Sequence, residues 1–497
     1  MNSSGKRNRF LLCIPFLLLA MLVCSGFTSP LYPHYNGLDS SMFLITAKGL
    51  LNGKIAYIDL FDHKGPVFFW MEALGYAMGG RTGVWILQCI FAVAALYWIW
   101  KIAGLFRADP VPTAICFFSV FFYLFSHGNL TEEFSMPLIL LGLYFELRFL
   151  LSERTKHPPA WALLYGVLIG AMAFIRVNNA VILCAIILCI GVILIRSGEW
   201  GSVLLNLLCG LIGLALVAVP VCLYYVRRGA LYDMLYATFL HNLVYAKTST
   251  HDPIFSKKFF HFAVLYLPGI LAFLVFAGRW RATKHRVYLS LLTAVVLSYL
   301  MLLYSNVYEH YFMLGLPLFM VAAAVMLEDD GRRTSPEKPI LFLKRRLFGS
   351  KGKLQKLSAA LAACVCIYGL LSAYSACAPI YKTYLTNIAG DPYRQIHQSV
   401  EQIPEEERDS VVGFGVLADF YVHADIVPCY KYYTLQRWMT TEENDVYGQF
   451  LDYVQQERPL WLITKPAEED SGIRALLESC YSLVTEDDYA CYYRLNE

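Results

Sequence analysis

The sequence predicts an α-helical polytopic membrane protein: about eleven transmembrane helices, interfacial helices in the first outer loop, and a small C-terminal α/β extracytoplasmic domain. Three observations predict it. Of the 497 residues 57% are apolar and only 16% charged, with a mean hydropathy of +0.48, where soluble domains carry roughly 25% charged residues. Uncharged runs of about 20 residues recur along the chain, each long enough to cross a hydrocarbon core of roughly 30 Å as a helix. The net charge of +3 is divided, since residues 379–497 hold 9 Lys+Arg against 21 Asp+Glu, a local −12, and the remainder is +15. A soluble enzyme and a disordered chain are excluded. Nucleic acid is not expected as a partner, because the basic residues sit in short runs between apolar segments and not on one amphipathic face.

The apolar runs place spans at about 10–29, 83–105, 111–127, 134–151, 161–176, 179–195, 202–226, 259–277, 287–305, 311–327 and 357–378. The first has a basic lead (Lys6, Arg7, Arg9) like a signal peptide, but its apolar stretch is too long and no A-x-A site follows, so it reads as a signal anchor. With the amino end inside, the cytoplasmic loops carry 22 basic residues, nine of them between Arg332 and Lys356, against 10 in the outer loops before the tail. The positive-inside rule then holds at every cytoplasmic loop. An odd span count puts the acidic tail outside, in a plasma-membrane protein with a cytoplasmic N-terminus. Pro66 to Gly79 is apolar but short and contains Glu72; crossing would invert everything after it, so it reads as an interfacial helix. The short runs 161–176 and 179–195 are kept as a hairpin, because fusing them would move Arg279 to Arg286 outside.

The domains expected are therefore 1–378, the membrane part with its outer loop 30–82, and 379–497, a small α/β unit. In the tail, Asp391–Gln402 and Asp445–Gln456 have helical periodicity, while Ser410–Val416, Pro459–Thr464 and Tyr489–Arg494 read as strands. Eleven of the 14 cysteines lie in or beside apolar runs, where Cys acts as a small hydrophobe. Cys429, Cys480 and Cys491 of the tail allow at most one disulfide. Gly413 to Ala418 spells GxGxxA, but no acidic residue follows at the dinucleotide offset. The stretch from Arg227 mixes aromatic and charged residues as an interfacial helix does, and Asn129-Leu130-Thr131 is a glycosylation sequon relevant only in a secretory host.

Ionisable groups are nearly absent from span interiors, and those that stand out fall at outer ends. The first outer loop carries Asp39, then Asp59, Asp62, His63 and Lys64 in YIDLFDHKGP. The next carries His127, Glu132 and Glu133; Arg176 tips the hairpin; Glu309, His310 and Tyr311 open the tenth span. Taken singly, such charges at helix ends are readily explained by interfacial solvation. Together they describe a site at headgroup depth, with carboxylates able to take a proton from a hydroxyl and with Lys and Arg able to hold a phosphate.

In order, a basic start, one span, Asp39, the run LLNGKIAYIDLFDHKGPVFFW, LTEEFSMPL, FIRVNNAV and EHYFMLGLPLF resemble the C-type (GT-C) membrane glycosyltransferases. Within them the arrangement of residues 10–330 is similar to the bacterial branch of protein O-mannosyltransferases and aminoarabinose transferase, glycosyltransferase family 39-like. The resemblance implies spans around a cavity open to the outer leaflet. It also implies transfer of one sugar, with inversion, from a polyprenyl phosphate to a hydroxyl of a lipid, glycan or protein acceptor. Asp39 matches the family's acidic base and Lys64 the lysine near the donor phosphate. Relatives often have Asp-Glu where this chain has Asp39-Ser40, and Lys-Pro-Pro where it has Lys64-Gly65-Pro66. Metal ligands therefore do not carry over; no metal is assigned, although a divalent ion is compatible with the chemistry.

The residues support this reading on their own terms. A polyprenyl phosphate leaves as a stable anion and needs cations, for which Lys64 and Arg176 are the candidates. The acceptor hydroxyl needs a base, Asp39 first and Glu133 second, in a partly dry setting suggested by Leu38, Met42, Phe43 and Leu44; a helix cap is the structural alternative for Asp39. His63, Glu132, Glu309, His310 and Tyr311 complete the candidate site. A flippase or transporter would place charge inside spans. A glycan ligase or polymerase would favour arginines in the late outer loop, where Ser305 to His310 has none.

Overall fold

The computed structural model describes residues 10–248, 259–303, 308–328, 353–386, 393–436, 439–440, 444–468 and 470–496. The basic lead at Lys6, Arg7 and Arg9 and most of the Arg332–Lys356 run lie outside the described residues. The fold is a polytopic helical one, and each of the eleven apolar runs falls on a helix. Helices long and apolar enough to cross a membrane cover Gly80–Leu105, Pro159–Arg196, Trp200–Arg227 and Glu309–Met326; shorter apolar ones are Cys13–Cys24, Pro110–Leu124, Arg286–Leu302 and Ala362–Ala378. Two compact units emerge, and they do not follow chain order: Met1–Ser25, Leu87–Pro220 and Ser249–Pro379 form one, Gly26–Ile86, Val221–Thr248 and Ile380–Glu497 the other.

The first unit is a helix bundle. Asp109 starts Pro110–Leu124, its carboxylate accepting from Val111 N at 3.1 Å with Pro110 at the first helical position, where no amide is needed. The stretch 159–196 is not one rod: Arg176 has extended backbone (φ −162°, ψ 118°) and a 3₁₀ turn Val177–Ala180 separates Pro159–Arg176 from Val181–Arg196. A Cβ at Gly142 in Thr131–Leu150 would meet both Leu183 (2.6 Å) and Leu168 (3.3 Å), residues on opposite sides of the break. The chain therefore doubles back, as the charge pattern required.

Close helix contacts in this bundle are made by glycine. A Cβ at Gly166 would strike the carbonyl of Gly210, and one at Gly213 the carbonyl of Leu163, so Pro159–Arg176 and Trp200–Arg227 touch backbone to backbone. Gly369 in Lys353–Thr386 approaches the Ser119 carbonyl of Pro110–Leu124 in the same way (2.6 Å). Small residues allow this because apolar burial gives no preference for a neighbouring helix over a lipid tail.

The second unit joins the outer loop to the tail. Leu38–Leu51 packs on Pro66–Ala77, with Phe43 and Phe68 edge to face at 4.7 Å. At twelve residues, or about 18 Å of helix, Pro66–Ala77 is too short to cross a bilayer. The tail holds a four-stranded sheet, β1 Val411–Phe414, β2 Trp461–Thr464, β3 Tyr481–Glu486 and β4 Cys491–Leu495, in the order β1-β2-β4-β3; only β1 and β2 are parallel. Helices Val446–Glu457 and Ser471–Cys480 are capped by Asp445 and Asp470. Two helices, Ala418–Ala424 and Ser471–Cys480, and strand β3 were not foreseen. β3 is exposed at most positions and shows no apolar alternation, so no period-2 pattern announces it. The tail rests on the outer loop within this unit: Lys48 Nζ pairs with Asp425 Oδ1 at 2.6 Å, and Phe61 N donates to the Lys431 carbonyl at 2.9 Å. All 14 cysteines are free thiols.

Candidate active site

In the second unit, Leu38–Leu51 starts at Gly37 in extended conformation, and no side chain caps it. Asp39 stands in the first turn with an exposed side chain, while Met42, Phe43 and Leu44 turn inward at 1–2% exposure. Two expectations are corrected: Asp39 is not a cap, and its carboxylate is not in a dry setting.

The run that follows folds into a tight loop. Ile55 N donates to Asp59 Oδ2 at 2.6 Å, Tyr57 (φ 78°) donates from its hydroxyl to the Lys64 carbonyl at 2.8 Å, and Gly65 remains extended so that Pro66 can open the next helix. Lys64-Gly65-Pro66 is thus a loop end joined to a helix start. Asp62, 1% exposed, accepts from Lys64 N at 3.0 Å and faces Lys64 Nζ at 3.5 Å through the same Oδ1. Lys64 Nζ also lies 5.1 Å from the centre of the Phe43 ring. Burial pushes the Asp62 carboxyl up from the usual range; the Lys64 ammonium and amide oppose the shift, and the Asp39 charge adds to it. Lys64 is therefore a nearly buried cation with a dedicated counter-ion. The His63 carbonyl accepts from Asn242 Nδ2 at 2.9 Å, and its ring lies 6.2 Å from that of His241.

In the first unit, Glu132 and Glu133 open Thr131–Leu150 and are buried. Arg176 Nη1 donates to Glu132 Oε1 at 2.7 Å, Thr131 Oγ1 donates to Oε2 at 2.9 Å, and the guanidinium lies over the Tyr311 ring at 4.2 Å. Glu133 Oε2 accepts from Gln88 Nε2 at 2.8 Å and from Asn129 N at 3.1 Å. Asn179 Nδ2 donates to Ser135 Oγ and the Thr131 carbonyl, tying the hairpin tip to the same helix start. Glu309, His310 and Tyr311 form a 3₁₀ segment, Glu309–Gly315, with the His310 and Tyr311 rings edge to face at 4.7 Å. Among the described residues no three His, Cys, Asp or Glu side chains converge as metal ligands.

The family model described as "Putative competence-induced protein Ccs4 N-terminal domain" matches residues 4–381. The chain belongs to this family. No curated protein sequence matches it. In structure it is similar to ArnT from Cupriavidus metallidurans bound to undecaprenyl phosphate, at a TM-score of 0.59 and 14% identity, over 99% of this chain and 98% of that one. The apo state of the same protein gives 0.58 at 14% identity, over 98% of each chain. A crystal structure of the Archaeoglobus fulgidus oligosaccharyltransferase with zinc and sulfate gives 0.48 at 14%, over 90% of this chain and 68% of that one. The ArnT likeness shows that this Ccs4-family chain has the ArnT fold, tail included.

Within this Ccs4-family fold the nine predicted site residues divide between the units. Asp39, His63 and Lys64 share one; Glu132, Glu133, Arg176, Glu309, His310 and Tyr311 share the other. Sequence reasoning noted Asp62 in the first outer loop but gave it no role, and passed over Tyr57, Gln88 and Tyr433. Asp62 looked like ordinary interfacial charge, and a polar residue inside an apolar run, Gln88, was the available signal for Glu133's partner. Tyr433 carried no signal at all.

Proposed function

We propose that this chain is a membrane glycosyltransferase that moves one sugar, with inversion, from a polyprenyl phosphate to an acceptor hydroxyl at the outer face of the membrane. The observation that carries the reading is local to one unit: an exposed carboxylate, Asp39, and a nearly buried ammonium, Lys64, both act electrostatically on or through Asp62. Exposed, a base can meet a varied acceptor; sheltered, a cation keeps its strength for a leaving phosphate. The fold shared with a protein crystallised on undecaprenyl phosphate supports the donor class.

In the proposed reaction Asp39 takes the acceptor's hydroxyl proton as its oxygen attacks the anomeric carbon. The bond from that carbon to the phosphate oxygen breaks on the far side, and its electron pair leaves with the polyprenyl phosphate, which Lys64 stabilises. The leaving anion needs no acid. Arg176 is proposed as a further phosphate-binding group that exchanges its ion pair with Glu132 for a phosphate in fork geometry. Residues 379–497 are proposed to face outward as an acidic domain, and the acceptor to be a hydroxyl of a lipid, glycan or protein.

The test incubates purified protein with radiolabelled undecaprenyl-phosphate sugars and follows release of the sugar from the lipid. Consumption of at least one donor, lost in Asp39→Asn and Lys64→Ala, is expected. Binding of a lipid diphosphate glycan in preference to every monophosphate donor would replace this reading with that of a ligase or polymerase.

A further inference from the structure

The loop that carries Asp62 is covered by the C-terminal domain. Residue 61, next to Asp62, is bonded through its backbone amide to the Lys431 carbonyl, and the Phe61 ring lies 5.0 Å from that of Tyr432. One residue further, Tyr433 is fully buried and its ring stands edge to face on Tyr421 at 5.3 Å. The Tyr421 hydroxyl accepts from Gly413 N in β1 at 2.8 Å and donates to the Tyr433 carbonyl at 3.2 Å, so the sheet fixes where Tyr433 sits. Its own hydroxyl has Thr46 beside it, and the Asp62 charge acts on it from within the same unit. Among the described residues neither Asp62 Oδ2 nor Tyr433 Oη makes a hydrogen bond of ordinary geometry, although both are buried. A phenol that can donate and a carboxylate oxygen that can only accept satisfy one another, directly or through one water.

We propose that Tyr433, supplied by the C-terminal domain, is a positioning residue for the donor-phosphate site: its hydroxyl holds Asp62 Oδ2, so that Asp62 Oδ1 holds Lys64. The proposal rests on the reading of Lys64 as the phosphate-binding cation. It gives the tail a part in ordering the donor site. The groups facing Asp62 are Lys64, His63 and Tyr57 from its own loop, Asp39 from Leu38–Leu51 and Tyr433 from the tail, with His241 beside His63. Of the two tyrosines, Tyr57 already donates its hydroxyl to the Lys64 carbonyl, whereas the Tyr433 hydroxyl can be removed with its ring packing kept.

An ionised Asp62 neutralises Lys64, and a protonated one leaves Lys64 free to attract phosphate. Binding of undecaprenyl phosphate to the full-length protein in detergent is therefore expected to tighten as pH falls through the Asp62 transition. Asp62→Asn supplies the baseline for the lipid's own titration. A hydrogen bond to the carboxylate favours its charged form, so Tyr433→Phe should move the tightening to higher pH by about one unit. Tyr433→His, which restores a donor, should move it back, and Tyr433→Phe should be silent in the Asp62→Asn background. A pH profile unchanged in Tyr433→Phe, or a shift that persists without Asp62, overturns the positioning role. If Lys64→Ala binds undecaprenyl phosphate as the parent does, the reading of Lys64 fails and takes this proposal with it. A Lys64-dependent affinity with a silent Tyr433→Phe removes the proposal alone.

Discussion

Arg176 and Glu132 form a nearly buried ion pair, Nη1 to Oε1 at 2.7 Å, with side-chain exposures of 14% and 2%. The two residues lie on different helices, so the pair ties the tip of the 159–196 hairpin to the start of Thr131–Leu150. Removing one partner of such a pair strands the other in a poorly solvated place, at a cost of about 3 to 5 kcal/mol. Arg176→Ala should therefore destabilise the protein on that scale in detergent, and Glu132→Gln added to it should recover most of the loss. Arg176→Lys should restore charge without the fork and recover only part of a transfer defect. A double variant no more stable than Arg176→Ala would show that the pair does not carry this energy.

Lys64→Ala should lower turnover by about 10² to 10³, the usual loss when one stabilising donor is removed from a developing anion, and should weaken donor binding as well. Steady-state kinetics with a labelled polyprenyl-phosphate sugar separate the two effects. Turnover near the parent's would take Lys64 out of the site.

Asp39→Asn tests the base. Since Asp39 caps nothing, the variant should retain the parent's thermal stability within the small contribution of a charge at a helix start, about 0.3 to 1 kcal/mol. Transfer should fall by about 10² to 10⁴ while undecaprenyl-phosphate binding persists. Parent-like transfer would move the base elsewhere. Glu133 is then a poor substitute, because Gln88 and the Asn129 amide already hold its Oε2 in a buried position.

The basic residues predict a cytoplasmic N-terminus and an outward tail. An epitope placed after the exposed Gly198, in the turn beyond Arg196, should be shielded in intact cells, and one appended to the C-terminus should be reached by antibody from outside. The opposite pattern would overturn the outer placement of Asp39 and Lys64.

The helices and their order were legible because each span is written twice, once in its apolar length and once in the basic loops that punctuate it. The hairpin at Arg176 shows how far this reaches: a fused span would have reversed four later basic residues, and the structure turns the chain there. The site was legible as a set of residue types and not as partnerships. Nothing in FDHKGP says that Asp62 is the buried counter-ion of Lys64, because burial of a loop carboxylate is decided by segments far away in sequence. Nor does the composition of the tail mark one tyrosine among YKYYT as the one proposed to hold it. Asp39 erred in the other direction: apolar neighbours suggested a dry carboxylate, but on the helix Met42, Phe43 and Leu44 face inward while Leu38 and Asp39 face out.

The backbone contact of Pro159–Arg176 with Trp200–Arg227 makes mutational tolerance strongly local. Most side chains on these two helices that meet lipid can be exchanged for any apolar residue of similar length at little cost, because hydrocarbon is an undemanding neighbour. At Gly166 and Gly213 a single methyl would have to enter space filled by a carbonyl of the facing helix. A survey of viable substitutions would therefore find two silent-looking glycines, remote from every charged group discussed, that admit nothing larger. Their intolerance would report a distance between two helix axes and no chemistry at all.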